Sequence, residues 1–257
     1  MKTLLVIDSL GSGGAQRQMV NLAIGLSKSK VIVELIYYKK NEFYLNKLLD
    51  NNITVHIPEK STNGFSVSFI LKLKKLLKKD FHSVISFLHA PSIYTSISNF
   101  RFNKSNHIIS ERSSSNSTNL SFLDRFLFYL SMLFCKSIVA NSYSETLNIK
   151  KLYGLSNKIK TIWNGYEIDP DLTYKSKKTN KSLLVLGRVS YVKNGINLMK
   201  GLSLFLERNS WCPNLKWAGR IDSNSDKIYH EMKRYLSQNK TLSNHWSWLG
   251  EVDNIND

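Results

Sequence analysis

A chain of 257 residues, 42% of them hydrophobic, is long enough to bury one large core or two modest ones. Only 4 prolines and 12 glycines, with no low-complexity tract, argue against a long disordered segment or a repeat array. A formal charge of +17, from 36 Lys and Arg against 19 Asp and Glu, sets up a positive field that draws phosphates, anionic lipid headgroups or nucleic acid without choosing among them.

In chain order, short apolar runs rich in β-branched residues alternate with amphipathic runs of helical length, the pattern of a doubly wound α/β sheet. The first run, 3–8, resembles a secretion signal only at its start, because Asp8 arrives early and a glycine-rich turn follows. It reads as a buried strand leading into a helix over 15–27. Strands are predicted next at 31–38, 53–57, 83–88, 107–110, 137–140 and 160–163, with helices over 43–50, 66–79, 92–100, 120–134 and 143–153. The apolar stretch 120–135 carries Asp124 and Arg125, which leaves too few uninterrupted residues for the ~20 that span a bilayer. Its Cys135 reads as a buried thiol, and with Cys212 as the other cysteine no disulfide framework is expected, which fits a reducing cytoplasm.

Residues 1–165 therefore read as a complete Rossmann-like domain. A polar stretch over 166–181, with Pro170 in a Lys/Thr/Asn/Ser cluster, reads as a linker. The pattern restarts with strands at 182–187, 215–218 and 246–250 and helices over 195–208 and 227–238. Residues 182–257 are thus expected to form the first half of a second Rossmann-like domain, since such a sheet normally needs more strands.

The segment Gly11-Ser-Gly-Gly-Ala-Gln-Arg17 joins the first strand to the first helix. Glycines there let backbone approach a ligand, and free amides at a helix start favour an anion, so Gly13 and Gly14 are candidates to hold a phosphate or sugar. A tight turn that needs glycine for geometry alone is the other reading. The dinucleotide fingerprint G-x-G-x-x-G fails because its third glycine falls on Gln16, which counts against a dehydrogenase.

Gly13-Gly14-Ala15-Gln16-Arg17, followed by Asn21-Leu22-Ala23, resembles the opening of family 4 glycosyltransferases. Val139-Ala-Asn-Ser142 and Thr161-Ile-Trp-Asn-Gly165 are similar to the strand ends that close that family's acceptor domain. Leu186-Gly187-Arg188, four residues, then Lys193-Asn194-Gly195 resembles its Gly-Arg-x4-Lys element at the head of the donor domain. The resemblance implies a GT-B fold and retaining transfer from a nucleoside-diphosphate sugar to a lipid-linked or polysaccharide acceptor in bacterial surface glycan synthesis. No metal cofactor is expected. An arginine at a strand end and a lysine at the next helix start can converge on one diphosphate, Arg188 as a planar fork and Lys193 as a point charge. Two solvated surface cations are the plainer alternative.

Two more candidates sit at strand ends of the first domain, His89 in Ser86-Phe-Leu-His-Ala90 and Glu111-Arg112 in Ile109-Ser-Glu-Arg. Many relatives carry a histidine near the Glu111 position, while a branch acting on bacterial surface glycans shows a similar Ser-Glu-Arg. Glu111 and Arg112 are therefore placed in the sugar pocket ahead of His89, for which a packed or solvent-facing histidine is an equal alternative. The helix over 65–81 carries Phe69, Ile70, Leu73, Leu76 and Leu77 on one face, expected to pack on the sheet. Lys72, Lys74, Lys75, Lys78 and Lys79 surround the other face and could rest on anionic membrane.

The family continues with an acidic pair, Glu-x7-Glu, that holds the donor, and this chain is expected to stop before it, inside the donor domain. Gly250-Glu-Val-Asp-Asn254 is similar to the segment just upstream of the pair. Gly219-Arg220 departs from the family's Gly-x-Gly. The rival to an active transferase is a catalytically inactive fragment acting as a binding module. Nucleic-acid binding is not expected, because no helix-turn-helix, zinc or RNA-binding signature accompanies the charge.

Overall fold

A computed structural model of the chain describes residues 1–58, 64–99, 105–112, 121–166, 182–221 and 226–252. It forms two compact units, Met1–Ile168 and Asp169–Asp257. Apart from Tyr166, the stretch read as a linker lies outside the described residues.

The first unit alternates strand and helix: β1 (Lys2–Val6), α1 (Gly14–Lys28), β2 (Ile32–Ile36), α2 (Leu45–Leu49), β3 (Thr54–His56), α3 (Val67–Leu77), β4 (Ser83–Phe87) and α4 (His89–Asn99). It continues with β5 (Asn106–Glu111), α5 (Phe122–Phe134), β6 (Ser137–Ala140), α6 (Tyr143–Tyr153) and β7 (Ile159–Thr161). Among the described residues these strands make a seven-stranded sheet in the order β3-β2-β1-β4-β5-β6-β7, with every neighbouring pair parallel. Strands of such a sheet are buried on both faces, which is why they read as continuous apolar runs. In β1 and just beyond it, Leu5 and Ile7 pack with Met19, Val20 and Ala23 of α1, while Leu4 and Val6 pack with Phe69, Ile70 and Leu73 of α3.

Local sequence fixes the helix ends. The hydroxyls of Ser66, Ser121 and Ser142 accept from the backbone amides of Phe69, Asp124 and Glu145, three side-chain N-caps. The stripe expected on α3 is the one that is buried: Phe69, Ile70, Leu73, Leu76 and Leu77. Helix α4 begins at His89, three residues before the expected start at Ser92. Pro91 is thereby placed in the first turn, where a missing N–H breaks no intrahelical bond.

The second unit comprises β8 (Ser182–Leu186), a 3-10 turn at Tyr191–Lys193, α7 (Gly195–Arg208), β9 (Asn214–Ala218), α8 (Asp226–Gln238), α9 (Lys240–Ser243) and β10 (Trp246–Gly250). Its three described strands are parallel in the order β10-β9-β8. Leu215, Trp217 and Trp246 pack against Met199 and Leu202 of α7 and Ile228, Met232 and Leu236 of α8. Leu184 and Leu186 alternate with that face and are exposed.

Candidate functional site

In the first unit the strand order reverses direction between β1 and β4, so the connections leaving these strands diverge and open a crevice at their C-terminal ends. The glycine loop lies there. Gly13 caps α1 with extended backbone and no side-chain bond, and the first turn carries no acidic residue, so its amides favour an anion. A Cβ on Gly13 would fall 2.2 Å from Gln16 Oε1, because the Gln16 side chain folds back across the loop. From there Gln16 Nε2 donates to Asp8 Oδ1 at 3.0 Å, tying the helix start to the end of β1. Asp8 also accepts from the Ser9 amide at 2.8 Å and faces Lys39 at 3.8 Å. A side chain at Gly13 would displace the Gln16 amide and break its bond to Asp8, while Gly14 has open space around it.

At the next strand ends the structure brings His89 and Glu111 together, with Nε2 3.3 Å from Oε2. Glu111 is 1% exposed, and the His89 ring meets Phe128 edge-on at 4.2 Å between centroids. Arg112 is held from three sides. Its Nε donates to Ser110 Oγ at 2.8 Å, one terminal nitrogen donates to Asn164 Oδ1, and its guanidinium stacks 4.3 Å from the centre of the Phe87 ring. Burial lowers its pKa and the Glu111 charge opposes that shift, which leaves the group a cation at neutral pH. Gln18 of α1 donates to Gly165 O at 2.9 Å, so the glycine-loop helix and Arg112 are anchored on adjacent residues after β7. A carboxylate–imidazole pair beside a fixed guanidinium can orient a sugar hydroxyl and hold an anionic group.

Asp8, Phe87 and Asn164 take part in this arrangement and were not among the sequence candidates. Asn164 had a usable signal, since it lies in the Thr161–Gly165 stretch that carries the resemblance. Asp8 had a weaker one, as the polar residue just past the first strand.

In the second unit the corresponding edge gathers Gly187, Gly219 and Gly250. Gly187 N donates to Ala218 O at 2.9 Å, Val189 N to Arg220 O at 3.0 Å and Gly219 N to Gly250 O at 2.6 Å. Trp217 Nε1 donates to Gly187 O at 2.8 Å. Lys193 turns back to the end of β8, where a Cβ on Gly187 would lie 3.1 Å from its Cε and 3.7 Å from its Nζ. Arg188, next in the chain, and Lys193 are both exposed. Asn194 at φ +55° makes the turn into α7, whose first turn carries no acidic residue. The two cations are therefore presented to solvent at one strand end.

Among the described residues, no group of three or more His, Cys, Asp or Glu is placed to hold a metal ion, and no helix is long and apolar enough to cross a membrane.

This architecture, with polar residues gathered at the C-terminal ends of parallel strands, defines an α/β protein of the open parallel-sheet class, in which ligands generally collect at the strand ends. The sequence model of Glycosyltransferase Family 4 matches residues 12–170. The chain belongs to that family. It is 26% identical over 270 residues to the GalNAc-alpha-(1->4)-GalNAc-alpha-(1->3)-diNAcBac-PP-undecaprenol alpha-1,4-N-acetyl-D-galactosaminyltransferase of Campylobacter jejuni, covering 99% of this chain and 69% of the relative. Similar solved structures include HepE of Anabaena in complex with UDP and glucose, with TM-score 0.77, 16% identity and coverage of 98% of this chain and 70% of that one. A glycosyltransferase from Rickettsia africae has TM-score 0.72 and 18% identity, with coverage of 99% and 69%. Both share the GT-B type of fold.

Proposed function

We propose that this glycosyltransferase moves a sugar from a nucleoside-diphosphate donor to a lipid-linked or polysaccharide acceptor in bacterial surface glycan synthesis, with retention of configuration. The observation that carries the reading is the return of Lys193 to the end of β8 beside Gly187 and Arg188. A guanidinium fork and an ammonium at one strand end suit a diphosphate. As the diphosphate departs its charge grows, and the two cations stabilise that charge without calling on a metal. The acceptor hydroxyl attacks from the face the diphosphate leaves.

Residues 182–257 serve the donor and residues 1–165 the acceptor, with 166–181 linking them. Glu111 and His89 orient the acceptor hydroxyl, Arg112 holds the sugar or an anionic group on it, and the Gly13–Gly14 amides complete the pocket. The Campylobacter relative supports a lipid-linked acceptor, since its name places its substrate on undecaprenol diphosphate. The UDP and glucose held by HepE support a nucleotide-sugar donor. The setting is the cytoplasmic face of the inner membrane. Exposed Lys72 and Lys75 on α3 and Lys78 and Lys79 just after it, with exposed Phe122, Leu123 and Phe126 in the first turns of α5, suit an anionic lipid surface.

Calorimetric titration with UDP tests the reading. Saturable binding that weakens roughly 10- to 100-fold in Arg188→Ala or Lys193→Ala supports it, the loss expected for one hydrogen bond to a charged group. Binding unchanged in both variants refutes the assigned site, and UDP binding without turnover of any UDP-sugar supports the binding-module alternative.

A further inference from the structure

Beneath the His89–Glu111 pair lies a file of buried polar groups that the proposed reaction does not use. Ser86, Ser92 and His107 are 0%, 0% and 4% exposed. His107 Nε2 is 2.8 Å from Ser86 Oγ, Ser86 Oγ is 2.9 Å from Ser92 Oγ, and Ser92 Oγ donates to Leu88 O at 2.7 Å. The other ring nitrogen of His107 is 3.4 Å from Ser96 Oγ.

The file ends on a backbone turn of unusual shape. Leu88 has φ +75°, a left-handed conformation that a branched side chain disfavours, and it is followed at once by His89 at the head of α4. That conformation turns the chain from strand to helix without a loop and sets His89 toward Glu111. Such a residue persists only where its surroundings over-determine it. The bond from the Ser92 hydroxyl to the Leu88 carbonyl, beside a longer one from the Ser92 amide at 3.3 Å, is one such hold; the bond from the Leu88 amide to Ser110 O at 3.3 Å, on the strand that carries Glu111, is another.

Proton bookkeeping gives the file a direction. Ser92 has one hydroxyl proton and gives it to Leu88 O, so the contact between the two serines must use the proton of Ser86. Ser86 then has none left for His107, and must accept from Nε2–H. The reverse arrangement would leave two oxygens 2.9 Å apart with no proton between them, a repulsive contact in a buried site. His107 Nδ1 is left as the acceptor for Ser96. We propose that His107, held as its Nε2–H tautomer, is a positioning residue: through Ser86 and Ser92 it fixes the Leu88 carbonyl and so the placement of His89 against Glu111. Burial also pushes the His107 pKa down to about 3, so the ring stays neutral and the donor direction does not change across physiological pH. The link to catalysis rests on the acceptor-site reading above; the arrangement of protons and the placing of His89 do not.

The test is long-range proton–nitrogen NMR of the histidine rings in the whole chain, wild type and variants. The His107 ring is expected to be protonated at Nε2 alone, with shifts that do not move between pH 5 and 8. His107→Leu should displace the His89 ring signals in a protein that still melts cooperatively, and His107→Gln, whose amide can donate to Ser86 from about the same place, should restore them. If His107→Leu does not fold, Ser92→Ala cuts the last link with a smaller change and should displace His89 in the same sense. A proton on Nδ1 of His107, or His89 signals unmoved in folded His107→Leu or Ser92→Ala, overturns the proposal. Neither readout depends on turnover, so failure of the transferase reading would leave this one to be decided separately.

Discussion

Replacing Gly219 by alanine tests how the second unit closes its strand edge. The new Cβ would lie 2.0 Å from Gly187 O, 2.3 Å from its carbonyl carbon and 2.9 Å from Arg188 N. These are backbone atoms, so no side-chain rotation relieves the overlap, and the ends of β8 and β9 must part by well over an ångström. Overpacking of this kind costs roughly 1–3 kcal/mol. The bonds across this edge from Gly187 N, Val189 N and Trp217 Nε1 then lengthen, at about 1 kcal/mol each for those lost. A total of roughly 3–5 kcal/mol is a large part of the ~5–15 kcal/mol by which domains are stable. Trp217 lies 5.9 Å from Trp246 and 5.8 Å from Trp248 between ring centroids, so tryptophan fluorescence reports on this unit. In urea the midpoint of its transition should fall by about 2 M, taking a slope of ~2 kcal/mol per molar. Since Gly187 and Arg188 would shift, UDP affinity should fall with it. A Gly219→Ala protein whose midpoint stays within about 0.3 M of wild type, on the same slope, would refute the reasoning.

The control in the same unit is Gly201→Ala, inside α7 with nothing within 4 Å of the new Cβ, which should stabilise by about 0.5–1 kcal/mol in the same urea titration. In the first unit Glu34 is nearly buried among Lys2 at 2.7 Å, His56 at 2.6 Å and Lys79 at 3.5 Å. Burial raises its pKa, but the hydrogen bonds from Lys2 and His56 and the charges of Lys2 and Lys79 outweigh it and leave the pKa below 4.5. A lowered folded pKa stabilises the fold above the unfolded value and loses that contribution as pH falls through the folded one. Thermal melting should therefore show Glu34→Gln less stable by roughly 2 kcal/mol at pH 7, with the difference from wild type shrinking below pH 4.5. Arg112→Lys keeps the charge but loses the fork to Ser110 and Asn164 and the broad stack on Phe87, and should lower the melting temperature by about 5 °C. If Arg188 and Lys193 carry the charge of the leaving group as proposed, turnover should persist in excess EDTA; abolition restored by a divalent ion would contradict that assignment.

Elements whose burial follows from their own residues were legible in the sequence. The strands at 137–140 and 246–250 and the helices over 143–153 and 195–208 occur with the bounds that apolar runs and caps suggest. Helix α9, four residues long, has too few turns for a periodic signal, and the start of α4 was missed because it depends on the left-handed Leu88 and its tertiary hold. At the candidate site, sequence located residues one strand end at a time but could not pair them. His89 and Glu111 meet because β4 and β5 run side by side with Phe87 opposite Ser110, a register set by the whole sheet. Arg112 and Asn164 are 52 positions apart and meet through the further packing of β6 and β7. The Lys193 side chain returning to Gly187 was accessible to reasoning because strand, turn and helix start are consecutive.

The central claim is retaining transfer from a nucleoside-diphosphate sugar, and stereochemistry tests it most directly. The chain would be incubated with α-linked UDP-sugars and an undecaprenyl-diphosphate-linked acceptor, and the anomeric signal of the new linkage followed by NMR together with UDP release. An α-linked product, formed with stoichiometric UDP and lost in Arg188→Ala, is the expected result. A β-linked product, or α-linked transfer undiminished in Arg188→Ala, would contradict the account.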